Sequence, residues 1–245
     1  MNLTSNTILI TGGAAGIGFE LAKQLCARGN RVIVCGRNEE ALLKAQTLVP
    51  ALITRVCDIT DDASRQDMVS WLNTSYPELN MVINNAGVQY RRTFGENNAL
   101  KNLEQEVSTN FTSPVRLIEE LIPLLKQQPQ AAIINVSSAL AFVPKADVPI
   151  YCATKAALHS FTLTLRHQLR ATNIKVVEMA PPIVDTNLGG GIRSEGAESQ
   201  NIMSPEGFVT EALIQLESDQ EEVLVGLAAG ARKMGEALFQ RMNGV

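Results

Sequence analysis

Short runs of β-branched and other apolar residues alternate along the chain with longer segments of helical periodicity. The apolar runs are TILIT (7–11), RVIVC (31–35), LITRVC (52–57), MVINN (81–85), AAIINVSS (131–138) and KVVEMA (175–180), with a shorter seventh near 222–226. The helical segments lie near 16–28, 39–48, 62–75, 100–127, 150–171 and 230–242. Near-continuous apolar runs of this length are typical of parallel strands covered on both faces. Repeated alternation of strand and helix predicts right-handed crossovers.

The chain length favours a single domain. The sequence has 245 residues, of which 45% are hydrophobic and 19% are charged, which is ordinary globular composition. We therefore predict one α/β domain over 1–245, a doubly wound parallel sheet of the Rossmann type with helices on both faces, carrying any cofactor and substrate sites together. The glycine-rich stretch 187–204 follows the sixth strand directly, at the sheet edge that binds ligands, so we expect a mobile substrate lid there.

Charge and targeting signals exclude several classes of protein. The net charge is −4, the pI is about 5.3, and no basic block is longer than Arg91-Arg92. We therefore expect no electrostatic binding to nucleic acid or to an anionic membrane. No apolar stretch approaches the ~20 residues of a membrane helix, and the first residues lack a basic region, so we expect a cytoplasmic protein. The four cysteines form no CxxC pair, and the histidines, His159 and His167, are too far apart on a helix to share a metal ion. No metal site is expected.

A glycine-rich turn follows the first strand. The segment Gly12-Gly13-Ala14-Ala15-Gly16-Ile17-Gly18 separates TILIT from a helical pattern. Glycines at such a turn permit positive φ and close backbone approach, and the helix N-terminus offers free N–H groups to a pyrophosphate. A P-loop is excluded because no Gly-Lys-Ser/Thr follows. The turn therefore indicates a dinucleotide site, with a purely structural turn as the alternative.

Four ordered motifs resemble one known family. Thr11, Gly12, Gly16 and Gly18 form T-G-x-x-x-G-x-G, and then come Asn84-Asn85-Ala86-Gly87, Ser137-Ser138 and Tyr151-Cys-Ala-Thr-Lys155. In this order they resemble the short-chain dehydrogenase/reductase (SDR) family, over Thr7 to about Leu188. Stretches 151–170 and 179–188 look most like the DltE-type oxidoreductases of that family.

The resemblance implies a catalytic set. Tyr151 matches the family's proton donor, and Lys155, one turn later, would lower the tyrosine pKa toward the working pH. Ser138 matches the serine that holds the substrate oxygen, with Ser137 as its neighbour. Asn110 matches the asparagine that tethers a water for proton relay to the lysine. His159, His167 and Trp71 are interpreted as packing or surface residues.

The resemblance also implies cofactor contacts. Asp58, beside Ile59, matches the residue that binds the adenine amino group, and its alternative role is an N-cap of the next helix. Asn85, Ala86 and Gly87 should line the adenosine ribose, and Lys155 should reach the nicotinamide ribose. After the sixth strand the usual Pro-Gly is replaced by Pro181-Pro182, a stiffer turn that leaves Ile183, Val184 and Thr186 at matching positions. The predicted cofactor set is Gly12, Ala14, Ala15, Gly16, Ile17, Gly18, Arg37, Asp58, Ile59, Asn85, Ala86, Gly87, Tyr151, Lys155, Pro181, Val184 and Thr186.

The end of the second strand predicts which nucleotide is preferred. NAD sites of this architecture place an acidic residue about 20 residues beyond the glycines, on the ribose 2′-hydroxyl. Here Cys35 is followed by Gly36, Arg37 and Asn38. Gly36 leaves space, and Arg37 can bind a 2′-phosphate through charge-assisted bonds. We therefore expect NADP(H), with NAD(H) as the alternative cofactor and a solvated turn arginine as the alternative role for Arg37.

These observations predict an NADP(H)-dependent oxidoreductase that interconverts a carbonyl and an alcohol. Leu140, Phe142, Val143 and Pro144 suggest an apolar pocket wall and a small or medium, partly apolar ketone. One alternative is a nucleotide-sensing binding protein without turnover. Another is an epimerase or dehydratase, but about 57 residues after Leu188 are too few for that group's substrate domain. The family also implies a dimer or tetramer formed by the helices near 100–127 and 150–171, the latter carrying Phe161 and Leu165.

Overall fold

A parallel sheet forms the centre of the molecule. The computed structural model describes residues 1–189 and 202–244. The strands are β1 Thr7–Thr11, β2 Arg31–Gly36, β3 Ile53–Val56, β4 Met81–Asn84, β5 Ala131–Val136, β6 Ile174–Ala180 and β7 Glu222–Leu224. In the described residues they form a seven-stranded sheet in the order β3-β2-β1-β4-β5-β6-β7, with every pair parallel. The strand order reverses between β1 and β4, and open α/β sheets bind ligands at the carboxyl ends beside such a reversal.

Helices cover both faces of the sheet, as predicted. They are α1 Gly16–Ala27, α2 Glu39–Leu48, α3 Asp62–Ser75, α4 Leu103–Val107, α5 Ser113–Leu125, α6 Pro149–Leu169, α7 Pro205–Glu217, α8 Leu227–Met234 and α9 Phe239–Met242. Apolar residues of α1, α2 and α7 pack on one face, and those of α3, α5 and α6 pack on the other. The resulting two-sided core confirms the doubly wound α/β fold.

Three helical segments differ from the prediction. The segment expected at 100–127 begins at Leu103 and is interrupted by a π-helical turn, Ser108–Thr112. The segment expected at 230–242 consists of α8, a 3-10 turn and α9. Helix α7 was not among the predicted helices, although parallel strands require a crossover between them. Ser204 caps it by accepting a hydrogen bond from Gly207 N, Pro205 occupies its first turn, and Phe208 is fully buried.

The predicted lid at 187–204 lies mostly outside the described residues, because 190–201 are not described. Within this stretch, Met203 is described and forms a parallel bridge with Val184, just after β6. Among the described helices, none combines the length and the apolar character needed to cross a lipid bilayer.

Candidate active site

The turn between β1 and α1 requires glycine for steric reasons. Gly12 and Gly16 have φ values of +65° and +53°, which favour glycine. A Cβ on Gly12 would lie 2.9 Å from the Ala86 Cα, and one on Gly18 would lie 2.4 Å from the Gly12 carbonyl oxygen. The turn therefore packs directly on the segment after β4 and on the first turn of α1.

The N-terminus of α1 is free to receive an anion. Ala15 is the N-cap residue and cannot cap the helix with its side chain, and the first turn carries no acidic residue. Ala14 and Ile17 flank the cap and pack partly on the core. The first N–H groups and the helix dipole thus favour a phosphate here. A cavity of about 270 Å³ opens beside this terminus, lined by Ala15, Gly16, Phe19, Glu20, Asp185, Thr186, Asn187 and Pro205.

The segment after β4 is tied to the glycine turn. Thr11 Oγ1 accepts hydrogen bonds from the backbone N–H groups of Asn85 and Ala86, both at 3.0 Å. The Asn85 side chain donates to the carbonyl oxygens of Thr11 and Gly12, at 3.0 and 3.2 Å. Four hydrogen bonds therefore join the two predicted nucleotide-binding segments at one edge of the sheet.

The end of β2 leaves open space beside an exposed cation. A Cβ on Gly36 would meet no atom within 4 Å, and Arg37 is exposed. Asn38 accepts a hydrogen bond from Ala41 N and caps α2. A 2′-phosphate is larger than a hydroxyl, so this combination of space and positive charge fits it.

Asp58 lies at the carboxyl end of β3 but is not the N-cap of α3. Asp61 has that role, accepting a hydrogen bond from Ser64 N at 2.7 Å. Asp58 Oδ1 instead accepts bonds from the N–H and the hydroxyl of Thr60, at 2.9 and 2.7 Å. Ile59 beside it is buried in the core. The helix-capping alternative for Asp58 is therefore wrong.

The two serines after β5 point to different partners. Ser137 Oγ donates to Glu178 Oε1 of β6. Ser138 Oγ accepts the N–H of Leu140 at 3.1 Å, which leaves its hydroxyl hydrogen to be donated to a substrate oxygen. Only Ser138 is thus oriented as a donor for a bound carbonyl.

Tyr151 and Lys155 lie one turn apart at the start of α6. The Lys155 ammonium is 5.6 Å from the centre of the Tyr151 ring and donates to the Val136 carbonyl at 2.8 Å. Both side chains are almost fully buried. Burial lowers the pKa of Lys155 from 10.5 to about 8, while the Glu178 carboxylate acts in the opposite direction.

Asn110 lies in the π-helical turn and faces the same site. Its side chain accepts the Val88 N–H and donates to the Val88 carbonyl, both at 2.8 Å, and also donates to Thr154 Oγ1 at 3.2 Å. A Cβ on Gly87 would lie 3.4 Å from Asn110 Oδ1 and 3.8 Å from Lys155 Nζ. π-helical turns are frequent at functional sites, and this one joins α6 to the segment after β4.

The segment after β6 completes the edge. The Pro181 carbonyl accepts the Ala139 N–H at 2.9 Å, and Val184 is buried where it pairs with Met203. Thr186 approaches the glycine turn, since a Cβ on Gly16 would lie 3.1 Å from its Cγ2. Despite the second proline, Pro182, the segment therefore reaches the N-terminus of α1.

The expected apolar wall is only partly present. Phe142 and Val143 are buried against Ala228 and Ala231 of α8, so they belong to the core. Leu140 and Leu188 instead pack beside Tyr151. The short helical turn Ala139–Ala141 separates Ser138 from Phe142 and Val143, which pack in a different cluster from Tyr151.

A buried acidic group lies behind the site and was not among the predicted residues. Glu178 is fully buried, and His159, interpreted as a packing residue, donates from Nδ1 to Glu178 Oε2 at 2.6 Å. An acidic residue within the apolar run KVVEMA was the signal, because fully buried acids are rare unless paired. His159, Glu178 and Glu222 have potential metal-ligand atoms within 4.8 Å of one another, but Arg232 already pairs with Glu222 at 3.1 Å.

A doubly wound parallel sheet with a glycine turn after β1 and a tyrosine–lysine pair one turn apart on α6 is the architecture of one oxidoreductase family. The short chain dehydrogenase family model matches residues 6–197, and the chain belongs to this family. It is 44% identical over 248 residues to the uncharacterized oxidoreductase DltE of Bacillus subtilis (strain 168), covering 99% of this chain and 98% of that one.

Solved structures share the fold. A short chain dehydrogenase of Burkholderia cenocepacia J2315 in complex with NADP matches with a TM-score of 0.82 and 24% identity, covering 96% of this chain and 94% of the other. A short chain dehydrogenase/reductase of Burkholderia phymatum in complex with NAD matches with a TM-score of 0.83 and 19% identity, covering 95% and 93%. These two proteins therefore share the fold and were solved with different nucleotides.

Proposed function

We propose that this protein is an NADP(H)-dependent carbonyl reductase or alcohol dehydrogenase, acting on a small or medium, partly apolar carbonyl or alcohol. The start of α6 carries the proposal, because the Lys155 ammonium lies 5.6 Å from the centre of the Tyr151 ring and bonds to the Val136 carbonyl, two residues before Ser138. The adjoining glycine turn and uncapped α1 terminus fit the pyrophosphate of a dinucleotide. When bound, the nicotinamide supplies or accepts the hydride.

The side chains would move the proton and orient the substrate. In reduction, the Ser138 hydroxyl donates a hydrogen bond to the carbonyl oxygen, and Tyr151 transfers its phenolic proton to that oxygen as negative charge develops. The Lys155 ammonium stabilises the phenolate that remains on Tyr151. In oxidation the same phenolate accepts the alcohol proton. Burial of these groups in a site of low polarity strengthens each of these interactions.

Substitution of the tyrosine tests this mechanism. We expect Tyr151→Phe to lower kcat by about 10²–10⁴-fold, the usual contribution of a general acid, with nucleotide binding largely retained. The assay is NADPH absorbance over a panel of ketones and aldehydes, with nucleotide affinity from protein fluorescence. Tyr76→Phe is the matched control, because Tyr76 packs on Trp71 at the end of α3 and lies outside the site.

Two results would change the proposal. Retention of more than half the wild-type kcat in Tyr151→Phe would contradict the acid/base role of Tyr151. Tight NADPH binding by the wild type with no turnover across the panel would favour a nucleotide-sensing protein instead.

The preference for NADP(H) rests on Arg37 and Gly36. In the described residues, the Arg37 side chain has no ion-pair or hydrogen-bond partner within the protein, so its guanidinium is available to a 2′-phosphate. Charge-assisted hydrogen bonds of this kind contribute roughly 1–3 kcal/mol, which is about 5- to 150-fold in affinity.

Measurement of kcat/KM with NADPH and NADH, for wild type and Arg37→Asp, tests the preference. We expect the variant to lose most of the NADPH preference, because aspartate repels the phosphate and can accept the ribose hydroxyl. Arg170→Asp makes the same charge change at the far end of α6 and should leave the ratio unchanged. Equal use of both nucleotides by the wild type would show that Arg37 is only a surface residue.

A further inference from the structure

Glu178 is a fully buried acid that the proposed reaction does not use directly. It lies in β6, beside Asn135 of β5 in the strand register. Both carboxylate oxygens accept hydrogen bonds, Oε1 from Ser137 and Oε2 from His159. Burying a carboxylate costs free energy unless the carboxylate is paired. A fully buried Glu178 is therefore expected to have a structural or functional role.

The two donors connect Glu178 to the catalytic residues. Ser137 immediately precedes Ser138, and it follows Val136, whose carbonyl accepts the Lys155 ammonium at 2.8 Å. His159 lies one turn after Lys155 on α6, on the same side of the helix. The carboxylate therefore joins the serine end of β5 to the helix that carries Tyr151 and Lys155.

The charged groups around Glu178 come from three elements. Helix α6 contributes Lys155 and His159, β7 contributes Glu222, and α8 contributes Arg232. Arg232 forms a two-pronged pair with Glu222, which neutralises that acid locally. The interactions that bear on the Lys155 pKa are burial, which lowers it, and the Glu178 charge, which raises it.

We propose that Glu178 is a positioning residue of the active site, whose buried negative charge keeps Lys155 protonated and whose two hydrogen bonds hold Ser137-Ser138 against α6. This role rests on the proposed acid/base function of Tyr151 and Lys155. Without the carboxylate, the buried ammonium would be less stable, and the tyrosine–lysine pair would lose its proton at lower pH.

The pH dependence of kcat/KM tests the proposal. In Glu178→Gln, which keeps the side-chain shape and removes the charge, the alkaline limb for carbonyl reduction should move to lower pH by about one unit, the scale of a nearby charge. Glu178→Asp keeps the charge and should leave the limb close to its wild-type position. The double variant Glu222→Gln, Arg232→Gln is the matched control. It removes the neighbouring ion pair, at the strand position paired with Glu178, without changing the local net charge, and should cause no shift.

A second readout does not depend on turnover. The free energy of unfolding should increase as the pH rises through the pKa of the buried lysine. In Glu178→Gln this increase should begin at a lower pH than in wild type, because the lysine loses its proton at a lower pH. If Glu178→Gln does not fold, as judged by circular dichroism, Ser137→Ala replaces it. This variant removes one hydrogen bond from the carboxylate and should lower kcat several-fold while the KM for NADPH stays unchanged.

Three results would overturn the proposal. They are an unshifted alkaline limb in folded Glu178→Gln, an equal shift in the Glu222→Gln, Arg232→Gln double variant, or unchanged kcat in Ser137→Ala. Tyr151→Phe is assayed in parallel. If Tyr151→Phe is inactive while the alkaline limb of Glu178→Gln stays at its wild-type pH, only the proposed role of Glu178 fails. If Tyr151→Phe remains fully active, the proposed function itself fails.

Discussion

Replacing the buried lysine should inactivate the protein and stabilise its fold. Burial lowers the pKa of Lys155 from 10.5 to about 8, so below that pH the folded state holds a proton on the ammonium at a cost in free energy. The difference corresponds to about 3 kcal/mol. Lys155→Met keeps a flexible side chain of similar length without the charge, and it removes this cost.

The net gain is smaller because the hydrogen bond to the Val136 carbonyl is also lost. That bond contributes about 1 kcal/mol, so the variant should be about 2 kcal/mol more stable near neutral pH. For a chain of this length, such a gain raises the Tm by about 4–8 °C. Activity should fall by about 10²–10⁴-fold, because the phenolate of Tyr151 loses its stabilising cation.

The sign of the pH dependence follows from the depressed pKa. Between about pH 8 and pH 10.5 the unfolded wild-type chain binds more protons at this lysine than the folded chain does. Wild-type stability at this site therefore rises with pH, by up to about 1.4 kcal/mol per unit. The advantage of Lys155→Met should accordingly shrink as the pH rises from 8 toward 10.5.

Urea denaturation near neutral pH and near pH 10 measures this advantage, and other titrating groups cancel between wild type and variant. Lys126→Met is the matched control, since Lys126 is exposed at the end of α5 and should show neither a gain nor a pH dependence. A Lys155→Met protein that is less stable than wild type near neutral pH, or an advantage that does not change with pH, would refute the reasoning.

Two further predictions follow from the packing. Gly18→Ala should lower stability by about 1–3 kcal/mol and weaken NADPH binding, because its Cβ would lie 2.4 Å from the Gly12 carbonyl oxygen. Calorimetry and fluorescence titration measure both effects. Gly230→Ala, inside α8 where a Cβ meets nothing within 4 Å, should instead raise stability by up to about 1 kcal/mol and leave NADPH binding unchanged. We also propose self-association through α5 and α6, with Phe111 and Phe161 in edge contact and partly exposed there, whereas Leu165 is buried in the chain's own core. Light scattering should give at least twice the 26.5 kDa chain mass, and a monomer at micromolar concentration would contradict it.

The sequence by itself determined the sheet, the glycine turn and the residues that meet at its edge. Local patterns carry this information: apolar runs specify buried parallel strands, and the carboxyl ends of such strands share one edge of the sheet. Ser138 ends one strand and Tyr151 and Lys155 begin the next helix, so their proximity follows from connectivity. The glycine turn was readable from its spacing between a strand and a helix, and the structure gives the reason for the glycines, since a Cβ on Gly12 or Gly18 would lie within 3 Å of backbone atoms.

Tertiary structure alone decided which polar groups pair across elements. Ser137 and Ser138 have different partners because Ser137 binds Glu178, 41 residues later in the chain. His159 is held by the same acid. Phe142 and Val143 resembled pocket residues in the sequence, yet α8 covers them. Such contacts depend on the direction of side chains on elements far apart in sequence, and hydrophobic periodicity carries no information about polar partners. The electrostatic state of Lys155 is set in the same way, by burial and by a charge on another strand, so it became visible only when the chain was folded.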